Sequence, residues 1–160
     1  MVLEVPEKEF YTAVLSAGAI LTGFCGTFLQ FRIQREAGYY RQPALSYEEG
    51  RARDVFIGLS HFTSSFLLII LATCLALIFG LVLPLLALAG LASFVTPKLV
   101  VAGLLAAAIF VIGYFCAELV HYGILNVRLL NDRREWGRQG ALVAVTVGVA
   151  ALSTVWVLAR

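Results

Sequence analysis

Residues 10–31 read FYTAVLSAGAILTGFCGTFLQF, twenty-two consecutive positions without a charged side chain. An apolar run of about 20 residues, folded as a helix, spans the roughly 30 Å hydrocarbon core of a bilayer. A surface helix of a soluble protein would show a polar face over the same length. The same silence recurs outward along the chain. Residues 55–97 hold no charge apart from any on His61, and neither 99–117 nor 141–159 holds any. Across 160 residues the chain is 61% hydrophobic and 14% charged, which places it outside the soluble globular class.

The run 55–97 is too long for one span. Pro84, followed by LLALAGLASFV, predicts a helix that ends near 83 and gives way to a short apolar excursion over 85–96. The expected architecture is all-α, a single polytopic domain over 1–160. Its four transmembrane helices fall near 10–32, 53–83, 97–126 and 139–159. Charge-free runs of this length exclude barrel strands, which alternate polar and apolar residues. MVLEVPEKEF at the N-terminus carries three glutamates where a cleaved signal would be basic, so the first helix is expected to stay.

Cationic side chains then set the orientation. Arg32, Arg35, Arg41, Arg51 and Arg53 lie around the first connection; Arg128, Arg133, Arg134 and Arg138 lie around the third. Only Lys8, Lys98 and Arg160 lie elsewhere. The pattern predicts a plasma (inner) membrane protein with loops 33–52 and 127–138 cytoplasmic and both termini outside. The basic loops suit anionic lipid headgroups, at about 1 kcal/mol per well-placed cation, and not nucleic acid.

Local signals refine the helix ends. Ser46 and Glu49 form a capping box ahead of the second helix, just after Pro43. Thr96 reads as the N-cap of the third, with Pro97 at its first position. Tyr39, Tyr40, Trp136 and Trp156 fall near expected interfaces. In the fourth helix Ala141, Ala144, Gly148 and Ala151 share one side, expected to meet another helix while the valines face lipid. Cys25, Cys74 and Cys116 show no metal spacing and read as small buried hydrophobes.

Two constellations carry functional weight. The first is a seam along helix 1: Glu9, Thr12, Ser16, Ala19, Gly23, Gly26 and Gln30. Its steps alternate three and four, so the seven residues line one side over about 31 Å. All are small, polar or acidic. Their neighbours around the helix are large: Val14, Leu15, Ile20, Leu21, Phe24, Phe28 and Phe31. Such a seam is either a close-packing face, as small residues allow between membrane helices, or the lining of a water-filled path. The path reading accounts for the polar residue at each end: Glu9 would form an acidic ring at one mouth and Gln30 a polar ring at the other.

The second constellation is CAELVHYG, 116–123. Gly103, Ala107, Phe110, Tyr114, Glu118, His121 and Leu125 share a face of helix 3. His61, on a face with Asp54 and Ser65 of helix 2, is expected at the same depth as His121. A carboxylate at the bilayer centre costs about 2.5–3.5 kcal/mol, and less near the interface. Glu118 therefore needs a partner, and the candidates are His61, His121, a tyrosine hydroxyl or Arg32. The cluster His61, Glu118, His121 and Tyr114 could hold or gate the bundle, with histidine titrating near neutrality. Alternatively, His61 and His121 could ligate haem b between helices 2 and 3, with Gly58 and Gly123 making room. E-x-x-H on helix 3 is a weaker metal reading, because such sites need more carboxylates than this bundle offers.

No nucleophile elbow, P-loop, dinucleotide fingerprint or zinc-protease motif is present, which argues against an enzyme of soluble substrates. Four short helices have little interior of their own, so a conducting protein of this size should assemble around an axis. The leading expectation is a small homo-oligomeric cation channel with helix 1 lining the path and no cofactor. The other expectations are a haem b electron carrier and a structural or assembly protein that binds partner helices.

Overall fold

The computed structural model describes residues 5–40, 66–119 and 133–160. The described residues form helices and one tight connection. Helix α1 runs Val5–Tyr40, α2 runs Phe66–Leu88, α3 runs Pro97–Leu119 and α4 runs Arg133–Ala159. Each contains a stretch long and apolar enough to cross a membrane. The capping box at Ser46 and Glu49 lies outside the described residues.

Two contacts define the ends of the bundle. At one end the Tyr11 hydroxyl donates to the Val95 carbonyl at 3.0 Å, in the connection between α2 and α3. At the other, Arg32 of α1 meets Glu118 of α3. We call these the loop end and the arginine end. Helix α1 packs on α2 and α3, α2 packs on α3, and α4 packs chiefly on α3.

The core is built from small side chains with a few large ones between them. Cys25, Leu68, Ile69, Ala72, Ala106, Phe110, Val111, Tyr114 and Ala150 form one cluster. Tyr11, Val14, Ala87, Ala92, Val95 and Val100 form another at the loop end. Two of the buried hydroxyls are satisfied within their own helices: Thr73 donates to the Ile69 carbonyl at 2.7 Å and Thr146 to that of Leu142 at 2.8 Å. Without such back-bonding a hydroxyl in an apolar interior would carry a desolvation cost.

Helix α2 does not end at Pro84. Proline lacks the N–H that would reach the Gly80 carbonyl, and its ring crowds that carbonyl. The helix widens into a π turn over Ile78–Val82, where the Leu83 N–H reaches back five residues to Ile78. Pro84 then occupies the first turn of a new α segment, Leu83–Leu88, where its missing donor costs little. Residues 85–88 are thus helical, and the expected excursion shrinks to the turn 89–96. Gly90, at φ 71°, ends the helix in the left-handed conformation. The Gly90 N–H donates to Ala87 at 3.0 Å and the Leu91 N–H to Leu86 at 2.9 Å, the paired bonds of a glycine C-cap. Helix α3 opens as expected, with the Thr96 hydroxyl accepting from the Leu99 N–H at 3.3 Å.

The π turn is also where α1 and α2 touch most closely. A Cβ on Gly18 would collide with the Gly80 carbonyl oxygen and lie 2.6 Å from its carbonyl carbon, while one on Gly80 would lie 2.8 Å from the Gly18 Cα. Only two glycines allow that approach, the small-residue packing of membrane helices.

Two expectations need correction. Among the described residues, Ala141, Ala144, Gly148 and Ala151 meet no other helix of the chain: all four are exposed. The bundle-facing side of α4 carries Thr146 and Ala150 instead, roughly 160° away around the axis. Of the three cysteines only Cys25 is buried; Cys74 and Cys116 are exposed.

Candidate functional site on the outward side of helix 1

The rotation of α1 is fixed at three levels by residues on one stripe. Tyr11 bonds Val95, Gly18 abuts Gly80, and Arg32 pairs with Glu118. Val14 and Cys25 fill the stripe between them and are buried. At 100° per residue this inward stripe lies roughly 130° from the middle of the Glu9–Gln30 seam.

The seam accordingly faces away from the bundle. Glu9, Thr12, Ser16, Ala19, Gly23 and Gln30 are exposed, and Gly26 is half-buried. A Cβ added to Gly23 or Gly26 would find no neighbour within 4 Å, the opposite of Gly18. Among the described residues, the two seam glycines are therefore not used for packing inside the chain. Some large neighbours of the seam share the outward surface: Ile20, Phe24 and Phe31 are exposed, whereas Val14 is turned inward.

The seam's hydroxyls are not idle donors. Thr12 donates to the Lys8 carbonyl at 2.8 Å, and Ser16 to that of Thr12 at 3.2 Å. Thr27, beside the seam, donates to Gly23 at 2.8 Å. Each hydroxyl keeps lone pairs for water or a cation while its proton is held by the backbone. The surface is therefore compatible with lipid, with a partner helix or with a hydrated path.

At the arginine end, the Arg32 Nη1 donates to the Glu118 Oε1 at 2.7 Å; the side chains are 3% and 17% exposed. Of the partners expected for Glu118, the structure brings Arg32. A short charge-assisted bond offsets part of the desolvation of both ions, and losing either partner would remove that compensation from the other. One turn nearer the bundle centre, Tyr114 is buried on the same face of α3. It belongs to an aromatic layer: Phe28 lies 6.4 Å from Tyr114 and 5.0 Å from Phe115, and Phe24 lies 4.7 Å from Phe28, between ring centroids. The layer stands between the ion pair and the bundle's middle. The expected α3 face is inward throughout its described part, with Gly103, Ala107, Phe110 and Tyr114 all buried.

His61 and His121 lie outside the described residues, as do Asp54, Ser65, Gly58, Gly123 and Leu125. The bis-histidine haem reading and the histidine part of the gating cluster rest on them.

Sequence reasoning missed the inward stripe. Its signal was available: Tyr11, Leu15, Gly18, Thr22, Cys25, Leu29 and Arg32 step by alternating four and three, with a polar anchor at each end. What hid it was the second, smaller seam on the same helix, which looks more like a packing face. No protein-family model, curated protein or solved structure matches the chain, so the outward seam and the Arg32–Glu118 pair are read on their geometry alone.

Proposed function

We propose that the chain is the subunit of a small homo-oligomeric, cation-conducting membrane channel in which α1 lines the path. The observation that carries the reading is the outward seam. A helix that folds against its own bundle through Tyr11, Gly18, Cys25 and Arg32 presents an unbroken small and polar strip on another side. Copies arranged about an axis would turn these strips toward one another. Glu9 would then ring one mouth and raise the local cation concentration, and Gln30 would line the other. The glycines and Ala19 leave the middle wide. The Arg32–Glu118 pair, with Tyr114 above it, holds the arginine-end half of α1 against α3. His61 and His121 complete this polar cluster in the proposal. By the distribution of arginines the arginine end is cytoplasmic, in a plasma (inner) membrane.

The test is cation flux in liposomes reconstituted with purified protein. Glu9→Gln should lower flux several-fold at low ionic strength and less at high, because a ring of charge acts through a screened field. Gly23→Leu fills open space in one chain, so folding should survive while flux falls. Absence of flux under every gradient tested, with a monomeric mass in mild detergent, refutes the reading.

A second reading is favoured by the back-bonded hydroxyls of Thr12, Ser16 and Thr27: the seam receives a helix of a different membrane protein. Stoichiometric co-purification with such a protein, and inertness alone, would select it.

A further inference from the structure

We infer that the turn 89–96 is an interfacial anchor, its Leu91 and Phe94 side chains seated in the lipid headgroup–acyl boundary at the loop end. The turn holds itself rigidly. The glycine C-cap bonds fix its entry, the Tyr11 hydroxyl fixes Val95, and the Thr96 cap fixes its exit. Ala92 and Val95 point into the loop-end cluster. Leu91 and Phe94 point the other way and are 76% and 67% exposed. In a glycine C-cap the residue after the glycine commonly packs back on the last helical turn, and Leu91 does not.

A depth ruler places the turn. Arg32 and Glu118 pair at the other end, and Tyr11 lies 21 residues before Arg32, about 31 Å along a helix. Pro97 lies 21 residues before Glu118, so α3 gives the same length independently. That length is the thickness of a hydrocarbon core, about 30 Å. If the ion pair sits at one boundary, the turn sits at the other. Irregular backbone facing lipid is not tolerated within the core, so the turn stops at this boundary and does not pass below it.

Composition agrees with lipid as the occupant. Residues 85–97 contain no ionisable side chain, unlike an aqueous loop. The exposed apolar surface of α2 runs up to the turn through Val82 and Leu85. Lys98, exposed in the first turn of α3, is placed to extend to lipid phosphate. Because Tyr11 is bonded to the anchored turn, the anchor also sets the depth of α1 and puts Glu9 among the headgroups. The inference stands apart from the conduction reading.

The experiment is depth-dependent fluorescence quenching of the full chain in phosphatidylcholine–phosphatidylglycerol vesicles. The native tryptophans are replaced (Trp156→Phe, Trp136→Phe), and Leu91→Trp or Phe94→Trp supplies the only one. Both sites are exposed, so neither change burdens folding. Leu105→Trp, mid-span on α3, is the deep control. For both turn positions, bromine near the glycerol end of the acyl chains should quench about twofold more than bromine near the terminal methyl, with iodide quenching weakly. The control should show the reverse order. Strong iodide quenching without bromolipid quenching would put the turn in water. Protection from both quenchers would mean that protein covers it, and stronger quenching by deep bromine would mean that it re-enters the core. Each of these three results overturns the anchor.

Discussion

Alanine at Gly18 and alanine at Gly23 should have opposite effects on the stability of the isolated chain in detergent. The two glycines lie on one helix, five residues apart, so their intrinsic helix preferences are shared. Replacing either gains about 1 kcal/mol, because alanine loses less backbone freedom on folding. The surroundings differ. At Gly18 the added methyl collides with the Gly80 carbonyl, and backbone cannot swing aside as a side chain can. Overpacking costs about 1–3 kcal/mol, and rigid atoms on both sides put this site toward the upper value. Gly18→Ala should therefore destabilise by about 1–2 kcal/mol net. At Gly23 no atom lies within 4 Å of the added methyl, so the substitution should be neutral or stabilise by up to about 1 kcal/mol. The gap of about 1–3 kcal/mol is readable by reversible unfolding in mixed micelles, followed by far-ultraviolet circular dichroism. If Gly18→Ala matches or exceeds the parent while Gly23→Ala falls below it, the assignment of inward and outward sides of α1 is wrong.

The ion pair invites a double-mutant cycle. Arg32→Gln and Glu118→Gln should each destabilise by about 2–3 kcal/mol, discounted from a fully buried pair because Glu118 is partly exposed. The double variant should cost clearly less than their sum in the same unfolding assay, and strict additivity would show the two side chains to be uncoupled. Tyr11→Phe removes the donor to the buried Val95 carbonyl and should cost about 1–2 kcal/mol. In hydrogen exchange its effect should concentrate on the turn 89–96, and uniform loosening of all four helices would contradict a local tie.

The four apolar helices were legible because charge-free length has few physical solutions in water or in lipid. Thr96 as a cap was legible for a similarly local reason. The helix 1 seam was legible as a stripe, since small and polar residues stepping by three and four name one whatever it meets; its outward position was not, because the same composition suits a packing face. Which glycine carries the contact inside the chain was not legible either. Gly18, Gly23 and Gly26 are equivalent as residues, and the choice was made by a carbonyl on another helix, at Gly80, left without its usual donor by Pro84. Reading Pro84 as a stop was sound for a helix that stays α throughout; the π turn is a tertiary accommodation that no local rule announces. The small side of α4 misled for the reverse reason. It had the composition of an interface, yet α4 meets α3 through Thr146 and Ala150, where Gly113 leaves space for the threonine side chain. Arg32 stood among several partners for Glu118, and spacing cannot rank partners on different helices.

The three ties along α1 have an evolutionary consequence. A helix clamped on one stripe by a tyrosine, a glycine and an arginine has its orientation settled before the opposite stripe is consulted. Mutations there leave the three ties untouched, so what constrains that stripe is its surroundings outside the bundle. Selection can retune what it meets, one substitution at a time, while the scaffold beneath keeps its shape.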